Sequence, residues 1–147
     1  MEIHDPTLHL KLIEMCDCYL GTDYQSTIQK VADSPSADSD EDAMRYLALA
    51  ILCGITEQAR QLSIKRKSDK VTVTLKHEDD EKIALRPPSR DICNRIISIM
   101  RNILHLDQDK GALPLSLGLK NDQIEVLVKI ERKPDKETIK IKFPGQN

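Results

Sequence analysis

The chain has 147 residues, 39% of them hydrophobic and 31% charged, and a net charge of −2. That balance suits one domain, or one domain with a helical extension, and excludes global disorder. With three Tyr, one Phe and no Trp the core must be aliphatic, and the stacking platforms of a single-strand nucleic-acid binder are missing.

The charge is unevenly spread. Residues 1–44 carry −8, residues 45–119 carry +4 and residues 120–147 carry +2. An acidic segment can therefore face a basic one, within the chain or across a dimer. No apolar run approaches the roughly 20 residues that a bilayer requires. The first residues, with Glu2, His4 and Asp5, lack the basic start and apolar stretch of a signal peptide, so a cytoplasmic location is expected.

In chain order, Leu8, Leu12, Met15 and Tyr19, with Ile13, Cys16 and Leu20 beside them, make a helical stripe over residues 6–20. Pro6 suits its first turn and Gly21 ends it. A shorter helix is predicted over residues 23–32, carrying Tyr24, Ile28 and Val31. Residues 33–42 are polar and acidic and read as a flexible linker. The stretch 40–62 that follows is the centre of the chain. Three acids open it, Ser39 is placed to cap it, and residues 47–53 are apolar or small throughout. A helix apolar nearly all round must be buried on more than one side.

The period then changes from 3.6 to 2. Leu62 and Ile64 begin one strand, residues 67–70 turn, and Val71, Val73 and Leu75 alternate with polar neighbours. A charged turn, residues 77–82, leads to a short strand with Ile83 and Leu85, which Pro87 and Pro88 stop. Ser89 caps an amphipathic helix over residues 90–104, built on Ile92, Ile96, Ile99, Met100 and Ile103. Gly111 closes the loop after it. Three more strands follow, on Leu113 to Leu119, Ile124 to Ile130 and Ile139 to Phe143, with turns at Asn121-Asp122 and Pro134-Asp135. Pro114 marks an edge or a bulge. The predicted fold is α+β: a helical segment over 1–32, the linker 33–42, and a domain over 43–147. Its order is α-βββ-α-βββ, with a mostly antiparallel sheet covered by helices.

The stretch 59–144 resembles the second N-terminal domain of the type II secretion and type IV pilus assembly ATPases. Ala59, Leu62 and Ile64 stand where that domain enters its first strand. A hairpin (71–85), a Pro-led helix (88–104), a loop (106–113) and the last strands (115–143) follow in the same order. The resemblance implies a scaffold for subunit or partner contact. It does not extend to the catalytic core, since no Gly-x-x-x-x-Gly-Lys-Ser/Thr phosphate loop is present. Residues 71–80 also lack the family's Arg-x-Arg-x-Asp-Gly strand end.

Chemistry is not concentrated anywhere. His4, His9, His77 and His105 are scattered, and none lies in a nucleophile motif. Cys53 and Cys93 fall in apolar patterns, and Cys16 and Cys18 lack the second pair that zinc needs. The acids of 78–81 read as a solvated turn. We therefore expect no enzyme, no cofactor, no metal and no small-molecule substrate. The expected function is a protein-interaction or assembly module with a protein partner or a homodimer. Its candidate surface is Lys129, Arg132, Lys140 and Lys142 on the last two strands, with Ile13 and Leu20 on the first helix. Two alternatives are a nucleic-acid-binding accessory protein that uses the same basic residues, and a small enzyme.

Overall fold

In the computed structural model, residues 7–119 and 122–144 are described. Four helices, α1 (Leu8–Tyr19), α2 (Tyr24–Asp33), α3 (Ser39–Thr56) and α4 (Arg90–Ile103), lie with a single six-stranded sheet. The strands are β1 (Gln61–Lys67), β2 (Lys70–Lys76), β3 (Lys82–Leu85), β4 (Lys110–Leu119), β5 (Asp122–Lys133) and β6 (Lys136–Lys142). They run β3-β2-β1-β6-β5-β4, each antiparallel to its neighbour. The fold is α+β, as the sequence pattern predicts. The two sets of three strands fuse into one sheet because β1 pairs with β6. His4, Pro6 and the residue Asn121 of the predicted β4–β5 turn lie outside the described residues.

Helix α3 is the hub. It packs against α1, α2 and α4 and meets β1. Leu47, Ala48, Leu49, Ala50 and Ile51 are all fully buried. Each large aliphatic side chain there contributes about 1.5–3 kcal/mol by leaving water. Its N-cap is Asp38, not Ser39: the Asp38 carboxylate accepts from the Asp40 and Glu41 amides. Residues 39–42 are thus the first helical turn, not connector. Asp42 is buried, accepting from the Ser36 amide at 2.7 Å and the Ser36 hydroxyl at 2.9 Å, with Arg45 beside it. That arrangement ties the α2–α3 connection back onto the helix. Leu12 and Cys16 of α1 and Ile28 of α2 join the same buried cluster as α3.

The sheet has two unlike faces. One carries Leu62, Ile64, Val73, Leu75, Val126, Val128, Ile130, Ile139 and Ile141, all buried. Alternation sends the other set of side chains to the opposite face. Pro114 lies in β4, an edge strand, the place in a sheet where proline is tolerated. Arg101 is buried in the last turn of α4, where the helix dipole favours a cation, and it donates to the Gln108 carbonyl at 2.8 Å.

Candidate interaction face

The register decides which side chains share the uncovered face, because paired residues in an antiparallel ladder point the same way. Lys129 of β5 is opposite Lys140 of β6, and Lys140 is opposite Ser63 of β1. Extending this across the sheet brings Lys133, Lys136 and Lys142 onto the face from β5 and β6, and Lys65 and Lys67 from β1. Lys70 and Lys76 join from β2, Lys82 from β3 and Lys110 from β4. Eleven of the fourteen lysines of the chain therefore project from one face. Its acids are Glu125 and Glu131. The rest of the face is Ser63, Thr72, Thr74, Thr138, two Gln and small or apolar residues, of which Leu127 is 37% exposed.

Arginine does the opposite. Arg45, Arg60, Arg66, Arg86, Arg90, Arg95 and Arg132 are each in an ion pair within the chain, and Arg101 is held by a carbonyl. The planar guanidinium is used for fixed internal contacts, and the flexible ammonium is left for the open surface. Among the described residues Lys65, Lys129, Lys140 and Lys142 are in no ion pair. Lys76 meets Asp80 and Lys133 meets Glu131.

Like charges stand directly opposite at Lys129–Lys140, Lys133–Lys136, Lys67–Lys136, Lys67–Lys70 and Lys76–Lys82. Such pairs destabilise a sheet. Lys142 shows the crowding: Lys129 beside it holds its pKa below the ordinary value. Glu131 is shifted the other way. Lys133 first, and Lys110 and Lys136 at longer range, keep its carboxyl below the usual range.

At the centre of the face is a concavity of about 440 Å³ between β1, β6, β5 and β4. Lys65, Lys110, Lys129, Lys136 and Lys140 line it with Glu131, Ser63 and Thr138. Two larger clefts lie among the helices. One, of about 860 Å³, is walled by α2 and β3, with Asp23, Glu57 and Arg86 as its charged groups. The other, of about 600 Å³, holds Glu14, Asp38, Asp40 and Glu41 against Lys11.

Of the residues expected from sequence, Lys129, Lys140 and Lys142 come together on the face. Arg132 does not. It shares its side of β5 with Val128 and Ile130, pairs with Asp109 at 3.0 Å, and lies opposite Glu137. Its even spacing from Val128 and Ile130 was the signal that could have placed it. Ile13 and Leu20 are partly buried against the core, and the large apolar side chain that α1 exposes is Leu10, at 56%. The lysines of β1–β3 were missed, because their alignment with Lys129 depends on the β1–β6 pairing.

His9 contacts the Ser116 carbonyl, His77 contacts that of Glu57, and His105 follows α4, so the three do not converge. Among the described residues no three His, Cys, Asp or Glu side chains form a metal-binding group, and no helix is long and apolar enough to cross a membrane. A scan against family models finds no match for the chain, and comparison with curated proteins finds none either.

Proposed function

We propose that this chain is a non-catalytic protein-interaction module that docks an acidic surface of a protein partner on its open lysine face. The observation that carries the reading is the segregation of charge: eleven lysines against two glutamates on one sheet face, with like charges left in direct opposition. A fold accepts that repulsion where an anionic partner relieves it. Among the described residues the face carries no aromatic side chain and no arginine fork, the groups with which proteins stack on bases and read their edges. The helices on the other side of the sheet carry most of the acids of residues 7–44, which a nucleic acid would avoid. The resemblance to the second N-terminal domain of secretion and pilus ATPases agrees with an assembly role. All four thiols are free, which agrees with the cytoplasm.

Titration of the full chain with poly-L-glutamate and with duplex DNA tests this. Binding of poly-L-glutamate should weaken steeply as salt rises and vanish in Lys65→Glu/Lys129→Glu/Lys140→Glu, with the circular dichroism spectrum unchanged. Tighter binding of DNA than of polyglutamate, or an unaffected triple variant, would overturn the reading.

A further inference from the structure

Thr138 is the buried polar residue of the open face, 8% exposed and among the residues lining the central concavity. No hydrogen bond of its hydroxyl is found among the described residues, and the hydroxyl oxygen is not one of the fully buried atoms left without a partner, so it keeps access to solvent in the concavity. A hydroxyl that keeps access to solvent can hydrogen-bond a group that enters from outside. Its surroundings are cationic. Thr138 is opposite Lys65 on β1 and Glu131 on β5, and Lys136 and Lys140 flank it two residues away on the same face of β6. Lys129 stands opposite Lys140, and the Ser63 side chain lines the same hollow.

Five ammonium groups and one carboxylate leave a large positive excess around two hydroxyl donors. Glu131 is engaged by Lys133 at 3.3 Å, outside the group lining the concavity, so Lys65, Lys129 and Lys140 stay uncompensated. A single carboxylate from a partner supplies one charge and two oxygens. A phosphomonoester supplies about −1.5 to −2 and three acceptor oxygens, which fits several lysines and hydroxyls at once. The lining has no aromatic ring, so nothing favours a nucleotide base.

We propose that the concavity is a phosphoryl subsite, which takes a phosphorylated serine or threonine side chain on the acidic protein segment that crosses the lysine face. This rests on the acidic-partner reading above. Lys65, Lys129 and Lys140 supply charge, and the Thr138 and Ser63 hydroxyls donate to phosphate oxygens from the floor. The remaining lysines hold the flanking acidic residues.

The test uses the full chain and three synthetic Asp- and Glu-rich peptides, identical except for a central phosphoserine, glutamate or serine. Fluorescence anisotropy at low salt should rank the phosphoserine peptide tightest, by roughly tenfold over the serine form. Thr138→Val suits a strand and removes only the hydroxyl, so it should narrow that preference. Lys65→Met should narrow it further. Equal binding of all three peptides would overturn the phosphoryl subsite and leave acidic docking intact. Binding of none of them would remove both. Tight binding of inorganic polyphosphate, with no preference among the peptides, would also overturn it.

Discussion

Gly54 of α3 sits beneath the ring of Phe143: a Cβ at Gly54 would lie 2.5 Å from Cζ and 2.6 Å from Cε2. The close approach locks the hub helix to the chain just past β6, where Phe143 is buried and its amide bonds the Arg60 carbonyl at 3.0 Å. Gly54→Ala forces the ring to move. Overpacking of this kind costs about 1–3 kcal/mol, set against a helix-propensity gain of up to about 1 kcal/mol. The variant should therefore be destabilised. In a Phe143→Ala background, with the ring gone, the same change should become neutral or stabilising. Urea denaturation of the four proteins in the cycle checks the change of sign.

Tyr46 is the largest fully buried side chain of α3, and its hydroxyl donates to the Arg86 carbonyl at 2.5 Å. That bond fixes the segment between β3 and α4, which two prolines keep from extending the sheet. Tyr46→Phe keeps the packing and strands the carbonyl. A loss of about 1 kcal/mol is expected, read as a lower denaturant midpoint with an unchanged slope. Arg86 also meets Asp33 at 2.8 Å on the surface, so Arg86→Ala should cost less than Tyr46→Phe.

These two contacts show what the sequence could and could not convey. Helix α3 was legible because residues 47–53 offer no polar side, and a helix with no polar side has to be central. The strands were legible from their period of two, and Pro114 pointed correctly to an edge. Asp42 was not legible. As one of a run of acids it looks solvated; the helix alone brings Arg45, three residues on, to its carboxylate, but the turn that carries Ser36 back to it is not marked in the sequence. The lysine face was half legible. Lys129, Lys140 and Lys142 share one face through a local hairpin, whereas Lys65 meets Thr138 only once β1 has paired with β6 across some seventy residues of chain. Nothing local specifies that pairing.

Lys129 and Lys140, directly opposite on neighbouring strands, should trade stability against binding. Lys140→Glu replaces a repulsive cross-strand pair with an attractive one, and about 0.5 kcal/mol of stabilisation is expected at low salt. High salt should erase the gain, since both groups are exposed and screened. The same variant should bind poly-L-glutamate more weakly than the wild-type chain. Thermal melts at two salt concentrations, run alongside the titration, check both halves. A variant less stable at low salt would show that the repulsion on this face is not felt.

The buried thiols set the alkaline limit of the fold. Burial, with a smaller contribution from Asp17, pushes the Cys16 thiol up to about 12. Burial is also the main cause at Cys53 and at Cys93, each raised to about 11, and it drives the Tyr46 phenol upward as well. In the unfolded chain thiols ionise near 9.0. Below that pH both states keep their protons and the full stability is present. Between about 9 and 11–12 the unfolded state releases protons that the folded state retains, so stability falls as pH rises, by up to about 1.4 kcal/mol per pH unit for each such thiol. Cys18 is exposed and should react with a thiol reagent at neutral pH while the other three are protected. Cys16→Ala should therefore flatten the decline of midpoint with pH above 9. A slope equal to that of the wild-type chain would mean that burial of Cys16 does not hold its proton.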